Sequence, residues 1–175
     1  MKKISKLDEY LFDLNGYLII NNALNKKELK DLNNILDKLK NIKNDEWAGY
    51  VHGHNYGGKE GLNLQQIYEA GKPFEKLIDH PSWINHMLHF VGGKGTFDHL
   101  HGPLFIDENF ANIRGPGEAI GIHSGNPEGL QRNHYRYQNG KFHCSQVNIL
   151  LALTNIGPGD GLSLIHISEP TRHRG

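Results

Sequence analysis

Histidine is the residue type through which this chain could bind a transition metal, because the imidazole nitrogen is a common metal ligand. His123 lies between glycines in the segment Gly121-Ile-His-Ser-Gly125. His99 and His101 alternate along a predicted strand and therefore share one of its faces. His52-Gly-His54 has a comparable spacing, but no third ligand is near it in the sequence, so we interpret it as part of a loop. Each of these histidines could instead be structural, as a backbone-bonded residue at a strand end or a partly exposed one on a strand face.

The single cysteine, a glycine-rich segment and three basic residues restrict which other kinds of site the chain could contain. Cys144 is the single cysteine, which excludes a disulfide framework and a cysteine-rich zinc site, and we interpret it as a buried core thiol. Gly157-Pro-Gly-Asp-Gly161 lacks the Gly-Lys-Ser/Thr of a phosphate-binding loop and is better suited to a turn between strands. Arg132, Arg136 and Lys141 could contact an anionic substrate or cosubstrate, or could form a solvated strand face.

The charge balance excludes several classes of partner. Lysine plus arginine and aspartate plus glutamate number 19 each in 175 residues, so the formal net charge is zero. A neutral chain without a basic run gives no electrostatic reason to bind nucleic acid or a membrane surface. No secretory signal or long apolar run is present, and one cytoplasmic domain is predicted.

The N-terminal third is predicted to be helical. A helix over Leu7–Leu14 ends at Asn15-Gly16, and a strand is predicted over Tyr17–Ile20. Asn25 and Glu28 have the spacing of a capping box at the start of the next helix, which has leucines along one stripe. Residues 44–72 are predicted to be mostly loop, with a short apolar piece around Leu62 to Tyr68.

Further helices are predicted to begin at Pro73 and at Pro81. After them the periodicity changes to that of strands, interrupted by a Gly/Pro/Asn-rich loop over residues 108–118. The predicted strands cover Thr96–Asp107, Ala119–Ser124, a hairpin over Tyr135–Phe142 with an Asn139-Gly140 turn, and Cys144–Thr154. The last of these is continuously apolar over Ile149–Leu153, so we expect that part to be buried on both faces. Helices followed by antiparallel strands predict an α+β fold in which helices pack on one sheet of a β-sandwich.

Several segments, in order, resemble the phytanoyl-CoA dioxygenase family. They are Phe12–Leu24 followed by Lys26–Leu29, then Leu77-Ile-Asp-His-Pro81, His123, the Asn-Gly hairpin, and Leu153–Gly161. The resemblance covers residues 8–161. It implies a double-stranded β-helix (a jelly-roll, cupin-like core), a non-haem Fe(II) centre, 2-oxoglutarate as cosubstrate, and hydroxylation of a small organic substrate.

The family's iron is held by two histidines and one carboxylate on one face of the metal. His123 matches the first histidine, whereas Gly125 occupies the carboxylate position and has no ligating side chain. The resemblance also implies that His99, His101, Ser124 and Arg136 are candidates for lining the pocket. The family's second histidine, in a Pro-Gly-Ser-His segment, and the arginine for 2-oxoglutarate have no counterpart after Gly161. His166 and His173 do not have the matching spacing.

We therefore expect residues 1–161 to be the N-terminal part of such a domain, incomplete at its C-terminus and inactive as it stands. Residues 162–175 are typical of adapter-derived read-through, and we expect them not to be native. Gly125 leaves alternatives open. It could mark a halogenase-like site with a halide on the metal, a carboxylate recruited from elsewhere such as Glu128, or no metal at all. The rival hypothesis from another class is a non-catalytic jelly-roll module that binds a carbohydrate or a small acid.

Overall fold

The computed structural model describes residues 4–56, 59–91, 102–120, 135, 137–142 and 144–156. Within these ranges the chain has the predicted α+β composition. The helices are α1 (Lys6–Asn15), α2 (Lys26–Leu39), α3 (Lys72–Glu75) and α4 (Ile84–Phe90), with a 3-10 turn at Ile67–Ala70. The strands are β1 (Trp47–Ala48), β2 (Val51–His54), β3 (Leu62–Gln65), β4 (Phe110–Ile113), β5 (Tyr137–Gln138) and β6 (Lys141–Phe142). No helix in the described ranges is long and apolar enough to cross a membrane.

Helices α1 and α2 confirm the predictions made from their end signals. Helix α3 contains Pro73 but ends at Glu75, and α4 begins at Ile84, three residues after the predicted start at Pro81. Helix α1 stops at Gly16, whose φ of 76° is the left-handed conformation that glycine adopts without steric cost. At the start of α2, the Asn25 side chain accepts hydrogen bonds from the backbone N–H groups of Lys27 and Glu28, each at 2.9 Å. Glu28 Oε2 accepts in return from the Asn25 backbone N–H at 2.8 Å. These bonds satisfy amides that the first turn of a helix leaves without intrahelical partners.

A four-stranded antiparallel sheet, in the order β1-β2-β3-β4, occupies sequence that we predicted to be loop. The predictions for residues 44–72 and 108–118 were therefore wrong, since β1 to β3 lie in the first range and β4 in the second. Glycine misled the prediction, because Gly53 lies inside β2 for a packing reason. A Cβ there would lie 2.5 Å from the Lys43 carbonyl oxygen and 2.6 Å from Ile42 Cγ2. A strand glycine of this kind marks a close approach of neighbouring chain.

Four further segments were predicted to be strands, but their described residues lie in no strand of the structure. Tyr17–Ile20 is irregular, with Ile19 67% exposed. In the predicted strand Thr96–Asp107, residues 103–107 form a turn and irregular chain, and Gly102 makes an isolated bridge. In the predicted strand Ala119–Ser124, Ala119 and Ile120 are irregular. The other residues of these two predicted strands lie outside the described residues. Cys144–Thr154 is also irregular, and Leu150 is 71% exposed, so burial on both faces was wrong. Alternating or continuous apolar residues do not make a strand without a neighbouring strand to bond with.

The main core lies between α2 and one face of the sheet. Leu32 on α2, Val51 on β2 and Leu64 on β3 are each no more than 1% exposed, and Ile67 and Phe74 complete the buried cluster. The C-terminal segment, residues 144–156, packs against this core through the partly buried side chains of Leu151 and Leu153. Asn33 Nδ2 donates to the Leu153 carbonyl oxygen at 2.8 Å, which holds that segment to α2.

A second apolar cluster joins α1, α4 and the predicted hairpin. The rings of Phe12 and Phe90 stack with centroids 3.9 Å apart, and Phe142 meets Phe90 edge-on at 4.8 Å. The hairpin is confirmed: β5 and β6 pair around Asn139 and Gly140, both at positive φ as a type I′ turn requires. Cys144 is buried in this cluster, as predicted, and burial raises the pKa of its thiol, which keeps it protonated and unreactive.

Asn25→Ala is expected to lower the free energy of unfolding by about 1 kcal/mol, because it removes the acceptor for two amides at the start of α2. Asn34→Ala is the matched control, an exposed position inside the same helix, and is expected to raise stability by about 0.5 kcal/mol through helix propensity. Urea unfolding followed by circular dichroism measures both. Equal effects of the two substitutions would contradict the capping geometry.

Glu28 makes α2 sensitive to acid. Its hydrogen bond from the Asn25 backbone, and then that from His80, hold the pKa of Glu28 below the ordinary 4.5. A carboxylate with a lowered pKa stabilises the fold above its ordinary range, and that contribution is lost as the pH falls through the lowered pKa. Glu28→Gln keeps an acceptor for the backbone without the titration, so its stability is expected to depend less on pH in acid. Parallel urea melts of the two proteins from pH 7 to pH 3 check this.

Candidate functional site

The side of the four-stranded sheet that faces away from α2 is polar and aromatic, and we call it the polar sheet face. The strand register puts Trp47, His52, Gln65 and Phe110 in one row and His54, Asn63 and Asn112 in the next. Because side chains alternate along a strand, these rows project opposite to Val51 and Leu64. The burial of the apolar residues against α2 therefore decides which side chains the polar sheet face presents.

His52 and His54 lie on β2 instead of the predicted loop, and the strand places them side by side. Their ring centroids are 5.8 Å apart. The indole ring of Trp47 stacks on His52 at 4.5 Å, and Tyr56 meets His54 edge-on at 4.3 Å. His52 Nε2 lies 3.7 Å from Asp45 Oδ1, which is beyond hydrogen-bond distance. Within the described part of the chain, both imidazoles are positioned by aromatic contacts.

An amide network connects the strands next to the histidines. Gln65 Nε2 donates to Tyr56 Oη and to Asn63 Oδ1, each at 2.8 Å. Asn63 Nδ2 then donates to Asn112 Oδ1 at 2.9 Å. Asn63 is only 5% exposed, and its hydrogen bonds offset the desolvation penalty of burying its amide group. The network has one direction, in which each amide donates to the next, and Asn112 is its last acceptor.

The direction of the network leaves specific groups to interact with a ligand. The Gln65 Oε1 acceptor and the Asn112 Nδ2 donor make no side-chain hydrogen bond within the described part of the chain. Tyr56 accepts from Gln65 and keeps its own O–H for donation. An acceptor and two donors, all of them neutral, therefore lie beside exposed aromatic rings, an arrangement that suits an uncharged polar molecule.

A cleft of about 290 Å³ lies beside the start of α2, and most of its charged side chains pair with one another. Lys27 pairs with Asp31 at 2.6 Å, and Lys72 pairs with Glu75 at 2.8 Å. His80 is buried there and lies 3.4 Å from Glu28 Oε1. The cleft is accordingly a structural junction between α2 and α3.

Of the basic residues that could contact an anion, Lys141 lies exposed on β6, whereas Arg132 lies outside the described residues. The residues that the sequence singled out for the iron site and its pocket also lie outside the described residues. They are His99, His101, His123, Ser124, Gly125, Glu128, Arg136, His166 and His173. Where the chain is described, no three histidine, cysteine or carboxylate side chains are close enough together to hold a metal ion. The iron site thus stays a prediction, and no step of chemistry is assigned to it.

The amide network was missed at the sequence level. Asn63, Gln65 and Asn112 lie in segments whose composition resembles loop, and only pairing of β3 with β4 brings Asn63 opposite Asn112. The sequence feature that could have indicated strand β3 is the segment Leu62-Asn-Leu-Gln65, in which apolar and polar residues alternate as in a half-buried strand.

Comparison of the chain with protein-family models, curated proteins and solved structures finds no match. The family resemblance noted from the sequence therefore remains a prediction.

Asn63→Asp and Asn112→Asp form a matched pair that tests the direction of the network. A buried carboxylate at position 63 cannot donate to Asn112 and is expected to lower the free energy of unfolding by about 3 kcal/mol. At exposed position 112 the carboxylate still accepts from Asn63, so a change within about 0.5 kcal/mol is expected. Urea unfolding at pH 7 compares the two, and similar losses would contradict the donor assignment.

Proposed function

We propose that this chain is part of a non-haem Fe(II)- and 2-oxoglutarate-dependent dioxygenase similar to the phytanoyl-CoA dioxygenases, which hydroxylates a small organic substrate on a jelly-roll scaffold. The observation that most supports the proposal is the two-sided sheet. Helix α2 covers its apolar side, and its other side presents histidine, asparagine and glutamine. A jelly-roll enzyme needs such a sheet, with an apolar outside for helices and polar side chains towards an enclosed cavity.

The chain order adds support. Strand β4 ends at Ile113, and the segment that contains His123 follows within ten residues. The polar sheet face and the proposed metal ligand are thus neighbours in sequence. The family's opening is a helix, a glycine, a strand and a second helix. The two helices and the glycine are present here as α1, Gly16 and α2, whereas Tyr17–Ile20 is not a strand. When bound, Fe(II) with 2-oxoglutarate would supply the oxidising power, and this chain's part would be to bind and orient the substrate.

A full-length homologue containing these segments tests the proposal. We expect its sequence beyond the position of Gly161 to contain Pro-Gly-Ser-His and a downstream arginine. Anaerobic calorimetric titration with Mn(II) and 2-oxoglutarate is expected to show binding, which His123→Ala weakens by more than about tenfold, because metal affinity depends on several ligands held together. Asn34→Ala, at an exposed position of α2 and outside the proposed pocket, is the control and should bind as the parent does. Absence of metal binding, or binding unaffected by His123→Ala, would refute the assignment. A homologue without the Pro-Gly-Ser-His segment would favour the non-catalytic binding module instead.

A further inference from the structure

The ligand that the polar sheet face would accept is restricted by the charge of the groups it offers. Gln65 Oε1, Asn112 Nδ2 and the Tyr56 hydroxyl are neutral, and together they can both donate and accept. The Asp45 side chain, which is 74% exposed, adds a carboxylate 3.7 Å from His52 on the same face. A carboxylate at this position repels anions. The face therefore favours a neutral molecule with several hydroxyl groups.

Exposed aromatic side chains, among them Trp47, Tyr56 and the 41% exposed Phe110, give the face an apolar part. Trp47 is 59% exposed and Tyr56 is 58% exposed, although both take part in ring contacts with the histidines. Holding the rings against His52 and His54 fixes their orientation, so little conformational entropy is lost when a ligand packs on them. An exposed indole beside amide groups is complementary to a sugar ring, which has C–H groups on its faces and hydroxyls around its edge.

The width of the face sets the size of the ligand. Trp47 lies on β1 and Asn112 on β4, which are three strand spacings apart in the sheet. Three spacings amount to about 14 Å. One sugar ring is too short to contact both ends, whereas a disaccharide or a longer saccharide can do so.

We propose that the polar sheet face binds a neutral saccharide of two or more units, stacked on Trp47 and hydrogen-bonded by Tyr56, Gln65 and Asn112. The identification of this saccharide as the substrate of the oxygenase rests on the proposed function. The binding itself requires neither iron nor 2-oxoglutarate, so the two proposals can fail separately.

Titration of the chain with maltose, cellobiose, lactose and glucose, in EDTA and without 2-oxoglutarate, tests the proposal. Calorimetry gives the affinity, and tryptophan emission reports on Trp47, because the only other tryptophan, Trp83, is 4% exposed. We expect saturable binding of at least one disaccharide, tighter than that of glucose and accompanied by a change in tryptophan emission. Asn112→Asp is expected to weaken this binding about tenfold, as the loss of one hydrogen bond would.

Trp47→Ala is expected to abolish binding and the change in emission. Tyr50→Ala is the matched control, since Tyr50 is a 72% exposed aromatic residue on the turn between β1 and β2, outside the paired residues that form the face. It should bind as the parent chain does. No saturable binding of any of the four sugars would overturn the proposal, and so would binding that Trp47→Ala and Asn112→Asp leave unchanged. Saccharide binding without metal binding in the homologue would sustain this inference while refuting the oxygenase.

Discussion

The packing of Leu32 against Val51 and Leu64 is the interaction on which the rest of the described structure depends. These side chains are almost fully excluded from solvent, and burying each contributes about 1.5–3 kcal/mol. Their positions fix which side of the four-stranded sheet meets α2. Because side chains alternate along each strand, the same contacts direct His52, Asn63 and Gln65 to the opposite side. A shift of one residue in the register of β3 would exchange the two faces and destroy core and site together.

The structure distributes its stabilising contacts between two apolar clusters. One lies under α2 and includes Leu151 and Leu153 from the C-terminal segment. The other joins α1 to α4 and to the β5–β6 hairpin through stacked phenylalanines. Polar contacts connect the same elements, since His89 lies 2.9 Å from Glu9 and Tyr135 donates to Asp13. Burial, followed by this hydrogen bond, raises the pKa of Tyr135, so it acts as a hydrogen-bond donor throughout the neutral range.

The polar sheet face connects the two proposals. An oxygenase requires a rigid surface that presents a substrate in one orientation, and amides held by their neighbours provide it without a mobile loop. Asn63 is central to this rigidity because it is buried and bonded on both sides. Its neighbours keep one acceptor and two donors available, and a ligand that matches them meets groups that are already in position. Neutral groups of this kind select a ligand by hydrogen-bond pattern and not by charge.

Features that depend on a few adjacent residues were predictable from the sequence. Local backbone chemistry explains the capping box of Asn25 and Glu28, the helix end at Gly16 and the Asn139-Gly140 turn. In each case a side chain bonds to nearby backbone amides, or a residue adopts a positive φ that the turn requires. The α+β class, the helix after Pro73 and the burial of Cys144 were also predicted correctly. Strand positions were not, because whether Leu62–Gln65 or Cys144–Thr154 pairs depends on a partner far away in the chain. The sequence by itself thus determined the ends of α1, the start of α2 and the turn of the β5–β6 hairpin. Only the tertiary structure decided that Asn63 meets Asn112 and that His52 lies beside His54 on a sheet, because those contacts exist only once α2 covers the other side.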